Sequence, residues 1–133
     1  MNESELIAFA ERYTAAWCSQ NAASVAAFFT EDGSLKINDA APAVGRTAIT
    51  AAAQSFMTAF PDLVVKMDSV SFQGTQATYH WTLTGHHTSG PFVQISGFEE
   101  WRFSADGLIA ESKGHFDEAE YQRQLSNSEE DQS

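Results

Sequence analysis

The sequence predicts an α+β fold, with N-terminal helices packed on one strongly curved, mostly antiparallel sheet to make a cone. Two observations carry this. Up to Phe60, apolar residues recur at helical spacing. From Leu63 onward come long segments of β-branched and aromatic residues, punctuated by Gly74, Ser89-Gly90-Pro91 and Asp106-Gly107. Helices first and a meander afterwards exclude the alternating pattern of a parallel α/β fold. Long strands twist, so their sheet curls, and the helices can close its concave side.

Each element follows from local chemistry. Ser4 is placed to cap a first helix reaching about Ser19, with Leu6, Phe9, Ala10, Tyr13, Ala16 and Trp17 on its buried face. A second helix, residues 22–29, is closed by Glu31-Asp32-Gly33. Residues 34–38 read as a short strand and Asp39-Ala40-Ala41-Pro42 as a loop. A third helix spans 45–60 and stops at Pro61-Asp62. Strands are expected over 63–72, 76–88, 92–103 and 108–116. A last helix runs from Glu118 to Leu125, and residues 126–133 form an acidic tail without apolar residues, expected to be disordered. With no linker or repeat, residues 1–125 make one domain.

Composition narrows the partners. A formal net charge of −11 disfavours nucleic acid and anionic membranes. No apolar run is long enough to span a bilayer, and the acidic N-terminus does not resemble a signal peptide. The single cysteine, Cys18, forms no internal disulfide, reads as a small core residue, and suits a reducing cytoplasm. The four histidines lack metal-ligand spacing, so no metal site is expected.

Chemistry concentrates at Gly114-His115-Phe116-Asp117, where a strand ends and the last helix begins. A carboxylate at a strand end that opens into an aromatic shell would have a raised pKa and could exchange a proton near neutrality. Asp117 also stands at an N-cap position with Glu120 three residues on, the pattern of a capping box. Both readings stand on the sequence.

The chain resembles the SnoaL-like polyketide cyclases, within the wider superfamily of ketosteroid isomerase, limonene epoxide hydrolase and nuclear transport factor two. The matching pieces are Phe28-Phe29-Thr30-Glu31-Asp32-Gly33, Val44-Gly45-Arg46-Thr47-Ala48-Ile49, Phe60-Pro61-Asp62-Leu63, Trp81-Thr82-Leu83-Thr84-Gly85-His86-His87-Thr88, and Asp117 with Gln124-Leu125. The resemblance implies a deep apolar pocket for a small, largely apolar molecule, no required cofactor, and a homodimer through the sheet. Asp117 matches the aspartate that the cyclases use as acid/base. The positions of the epoxide-hydrolase arginine and aspartate hold His80 and Thr82, which breaks that charged triad. Tyr13 loosely matches an oxyanion-hole tyrosine, and Asn38-Asp39 lies near where a base would follow the first strand.

His80 faces two ways. Parity buries Ala77, Tyr79, Trp81 and Leu83; the family pattern instead turns Thr78, His80, Thr82 and Thr84 into the pocket and leaves the aromatic set for the dimer. An inward His80 is the partner for Asp117. The expected catalytic pair is therefore Asp117 and His80. The expected substrate-binding residues are Tyr13, Trp17, Phe28, Asn38, Asp39, Phe56, Phe60, Thr82, Trp101 and His115. The chemistry expected is proton transfer next to a carbonyl, in a cyclisation, isomerisation or dehydration. The alternative is a non-catalytic module of the same fold that binds a hydrophobic ligand or serves association.

Overall fold

The computed structural model describes residues 1–131. Helix α1 (Glu3–Cys18) buries the expected stripe from Leu6 to Trp17. Its cap is Asn2 rather than Ser4: Asn2 Oδ1 accepts from Glu5 N at 2.8 Å, and the Glu5 carboxylate accepts from Asn2 N at 2.9 Å. This reciprocal box satisfies two otherwise orphaned N–H groups. Helix α2 (Ala22–Ala26) is shorter than expected because Phe29 already belongs to strand β1 (Phe29–Ile37). The acidic turn expected to close α2 is a bulged part of β1, and a Cβ on Gly33 would come within 3.0 Å of Ile109 O. Strand β2 (Ala43–Val44) was not foreseen; it pairs with β1 and leads into helix α3 (Arg46–Ala59). Gly45, at φ 90°, makes that turn, a conformation L side chains rarely adopt. Arg46 then donates from Nε and Nη2 to Phe29 O, tying α3 to the start of β1.

Strands β3 (Val64–Gln73), β4 (Gln76–His86), β5 (Phe92–Phe103) and β6 (Ile109–Phe116) follow as an antiparallel meander. The sheet order is β2-β1-β6-β5-β4-β3, and only β1 with β6 is parallel. Asp62 joins α3 to the sheet, with Oδ1 accepting from His86 N at 2.7 Å and Oδ2 bonded to His86 Nδ1 at 2.6 Å.

Parity decided β4. Ala77, Tyr79 and Leu83 are buried against the helices, with Trp81 packed beside them. The family-based expectation that His80 and Thr82 point inward, with Tyr79, Trp81 and Leu83 outside, is corrected. Burying three aromatic or aliphatic side chains gains free energy, whereas burying a threonine-histidine row would strand polar groups. Cys18 is exposed rather than in the core, with Sγ 3.2 Å from Val65 O.

Helix α4 (Glu118–Asp131) continues past Leu125, so the segment expected to be a disordered tail begins within it. Once Tyr121 and Leu125 pack the first turns against the core, adding helical residues no longer carries the nucleation cost. Residues 132–133 of that tail lie outside the described residues.

Candidate active site

Between the concave face of the sheet and the helices lies a narrow chamber of about 60 Å³. Its wall is aromatic and aliphatic, drawn from α1 (Trp17), α3 (Phe56), the residue after it (Phe60) and inward positions of β1, β3, β4, β5 and β6, with Tyr121 of α4. One carboxyl interrupts this surface: Glu99, on β5.

Glu99 is 7% exposed. The inward parity of β5 runs Val93, Ile95, Gly97, Glu99, Trp101, so the carboxyl enters the core in the place of a hydrophobe. Three donors converge on Oε1: Ser112 Oγ at 2.7 Å, Tyr13 OH at 2.9 Å and Trp101 Nε1 at 3.1 Å. Each comes from a different element or position, which fixes the carboxyl in one orientation. Oε2 takes part in none of these bonds and is the oxygen left for the chamber. Burial raises the Glu99 pKa above the ordinary carboxylate range, and the three donors oppose this without cancelling it. Burial, and then the nearby Glu99 charge, push the Tyr13 phenol well above its usual value, so Tyr13 is a permanent donor. Tyr79 pairs across the strands with Glu99, stacks on Trp101 at 4.8 Å, and shares a short hydrogen bond with Thr14.

Trp81 forms another part of the wall. It sits across from Gly97, where an added Cβ would come within 2.7 Å of Trp81 Cζ2 and 2.3 Å of His115 O. Only glycine leaves room for the indole there. A wider hollow of about 450 Å³ adjoins the chamber and shares Ile37, Phe56, Phe116 and Tyr121 with it; Asn38, Asp39, Ala40 and Glu118 complete its rim.

The residues expected from sequence divide. Trp17, Phe56 and Phe60 line the chamber. Asn38 and Asp39 line the hollow. Tyr13 and Trp101 lie behind Glu99 and orient it, and Phe28 packs edge-on against Tyr13. Four others are placed away from the cavity. Asp117 is exposed, and its Oδ1 accepts from Glu120 N at 3.0 Å, the capping geometry. The reciprocal bond of a full box is absent because Glu120 pairs with Arg123. His80 is exposed on the outer face of the sheet, its ring 5.5 Å from that of Phe98. His115 stacks on Phe98 from the other side and bonds Glu100 Oε1 at 2.9 Å. Thr82 donates to Asp68 Oδ2 at 2.6 Å on the same outer face. The expected meeting of Asp117 with His80 in the cavity is thus corrected: outward parity carries His80 away, and Asp117 follows the last inward residue of β6, Phe116.

Glu99 was missed. Its signal was present, a glutamate in step with Val93, Ile95 and Trp101, but the neighbouring Glu100 disguised it as a surface charge pair. Among the described residues, no three His, Cys, Asp or Glu side chains converge as metal ligands. No helix among them is long and apolar enough to cross a membrane.

Comparison with known proteins agrees with this architecture. A hypothetical protein with a ketosteroid isomerase-like fold from Catenulispora acidiphila, solved with trimethylamine, superposes with a TM-score of 0.80 at 17% identity, covering 87% of this chain and 90% of its own. A putative SnoaL-like polyketide cyclase from Jannaschia sp. CCS1 gives 0.74 at 17%, covering 90% and 92%. The epoxide hydrolase/cyclase-like enzyme SalBIII, of pyran ring formation in the polyether salinomycin, gives 0.78 at 14%, covering 90% and 95%. At such identities the likeness speaks for the fold alone. No curated protein sequence matches. The model of the SnoaL-like domain matches residues 10–112, most of the chain, and the protein belongs to that family.

Proposed function

We propose that the protein is a cofactor-independent enzyme that moves a proton next to a carbonyl in a small, largely apolar compound, with Glu99 as the group that moves it. Cyclisation, isomerisation and dehydration all begin with such a step. The observation that carries this reading is the carboxyl itself: buried in an apolar chamber, held through Oε1 by three donors, with Oε2 open to a ligand. A raised pKa suits a group that must both take and return a proton near neutrality. When the proton is returned and charge reappears on the carboxylate, the three donors cost no reorganisation, because they already point at it. Proton abstraction leaves an enolate; the proton on Oε2 is then delivered to a second carbon or to a departing hydroxyl.

The chamber, at about 60 Å³, is small beside the adjoining hollow of about 450 Å³. It therefore receives the reacting end of a ligand whose bulk rests in the hollow. A purely structural role for Glu99 is the competing reading, and it is separable by experiment. Hydrogen–deuterium exchange at the carbon next to the carbonyl of indanone, followed by NMR in heavy water, reports proton abstraction without knowledge of the physiological substrate. The wild-type protein is expected to accelerate exchange over buffer, and Glu99→Gln to lower that acceleration by ~100-fold or more. Equal exchange by both proteins, or none above buffer by the wild type, refutes the assignment.

A further inference from the structure

The register of the sheet sets the concave face around Glu99 in rows. Glu99 has Tyr79 beside it on β4 and Gly114 on β6; the adjacent row is Trp81, Gly97 and Phe116. Residues two apart on a strand point the same way and are about 7 Å apart, so the two rows stand side by side. Each row contains a glycine, which leaves a gap in the inward surface. The two gaps differ. A Cβ on Gly114 would meet Lys36 O at 3.4 Å and Glu99 Cγ at 3.7 Å, ordinary contacts, and Gly114 lines the chamber. A Cβ on Gly97 would come within 2.7 Å of Trp81 Cζ2 and 3.0 Å of Phe116 Cβ. Gly97 has no positive φ, so glycine is needed there for space rather than for conformation. The benzo edge of the Trp81 indole takes that space.

Trp81 is also the exception in its own strand. The inward residues of β4 are Ala77, Tyr79, Trp81, Leu83 and Gly85; the other four are buried, and Trp81 is half-buried. Its inward parity puts the exposed part of the indole on the concave side. Ile37, Phe56, Phe116 and Tyr121, also half-buried, line both chamber and hollow and so form the mouth between them; Trp81 lines the chamber alone. It stands just inside the mouth, one row from Glu99. Trp81 Nε1 has no hydrogen-bond partner, so shape alone holds the indole, with Gly97 on one side and the Phe116 ring 6.1 Å away. An apolar cavity of about 150 Å³ holds benzene. With the indole in place the chamber has about 60 Å³, too little for a ring.

We propose that Trp81 is the specificity-determining residue of the Glu99 chamber, a plug in the Gly97 gap that restricts the substrate to ketones whose reacting carbon is an unsubstituted methylene. The inference rests on the reading of Glu99 as the group that moves the proton, and says which ketones reach it. A methylene beside its carbonyl fits the space at Gly114, and the rest of the compound leaves through the mouth. A ring attached to that methylene has only the Gly97 gap to enter, and the indole fills it.

The test compares exchange of indanone and of 2-phenylindanone in heavy water, each as acceleration over buffer, in wild type, Trp81→Phe and Trp81→Leu. The wild type is expected to favour indanone, and Trp81→Leu to shift the ratio toward 2-phenylindanone by roughly tenfold or more, the low end of what one pocket contact supplies. Trp81→Phe, the smaller truncation, should shift it less and in the same direction, and decides the matter if Trp81→Leu does not fold. General damage to the fold would lower both rates and leave the ratio alone. A second reading needs no catalysis: benzene titrated into methyl-labelled protein should shift the Leu83 and Ile95 methyl resonances saturably in Trp81→Leu and not in wild type, since both residues line the chamber and not the hollow. An unchanged ratio in folded variants, or equal benzene binding by wild type and variant, overturns the inference. The two ideas fail separately. Exchange that depends on Glu99 but whose selectivity ignores Trp81 overturns the plug alone; benzene entry gained in Trp81→Leu with exchange indifferent to Glu99→Gln overturns the catalytic role alone.

Discussion

The strongest physical claim about Glu99 is that burial outweighs three hydrogen bonds, and Glu99→Gln tests it through stability. Each hydrogen bond to a charged carboxylate contributes about 1.5–3 kcal/mol, and removing an ion from water costs several kcal/mol. The pKa is raised, so burial wins. The sign follows. Above about pH 4.3, the ordinary glutamate value, the unfolded chain has released a proton that folded Glu99 still holds. The stability Glu99 contributes is fully present below that pH and is lost as pH rises through its folded pKa, with a limiting slope of about 1.4 kcal/mol per pH unit. The amide of Glu99→Gln keeps an oxygen for the three donors and does not titrate. Urea melts of both proteins across the acidic to neutral range supply the difference in unfolding free energy. Wild type minus variant should fall as pH rises and then level off above the folded pKa. Asp62, whose pKa is lowered by the His86 bonds, and Glu120, lowered to about 2 by Arg123 and Gln124, lose stability as pH falls; both proteins contain them, so they cancel. A flat difference would mean that Glu99 ionises as in the unfolded chain. A difference that rises with pH would mean that the donors beat burial. Either refutes the reasoning.

Tyr13→Phe removes one of the three donors to Oε1, so the Glu99 pKa should rise further and the sloping part of its melts should extend to higher pH; an unchanged profile would deny the bond. Gly97→Ala places a Cβ against His115 O and Trp81, and should cost about 1–3 kcal/mol in thermal or urea unfolding while disturbing the Trp81 indole resonance. Asp117→Asn should leave both stability and indanone exchange unchanged, and Asp117→Ala should cost about 1 kcal/mol of stability alone, because the side chain caps α4. A fall in exchange for Asp117→Asn would return the acid/base role to that residue. We also propose a homodimer through the outer sheet face around His80, Phe98 and His115; sedimentation at micromolar concentration should give about twice the chain mass, and a monomer would refute it.

Much of the architecture was legible because it depends on short-range chemistry. The stripe from Leu6 to Trp17, the stop at Pro61 and the strand boundaries at Gly74, Gly90 and Gly107 each follow from spacing or from a backbone preference. The parity of β4 was legible too, and the family-based reading misjudged it by giving its polar row the pocket. Motif pieces that tie elements together also appeared in sequence, though not what they tie: Arg46 to Phe29 O, and Asp62 to His86.

By itself, the sequence determined the fold class, the order of its long elements, the acidic balance and, of the chamber's apolar wall, Trp17, Phe56 and Phe60. Only the tertiary structure decided which acid the cavity contains. Tyr13, Glu99, Trp101 and Ser112 come from α1, β5 and β6, and their convergence depends on the register of β5 against both neighbours. Register is a long-range quantity: a slip of one residue would turn Glu99 to solvent and Glu100 to the core. Asp117 looked catalytic because a strand end can open into a cavity, yet the last turn of the path, set by packing of Phe116 and Tyr121, left it outside as a cap. Local sequence names the acids, and the burial that would change their chemistry is assigned only when the sheet closes.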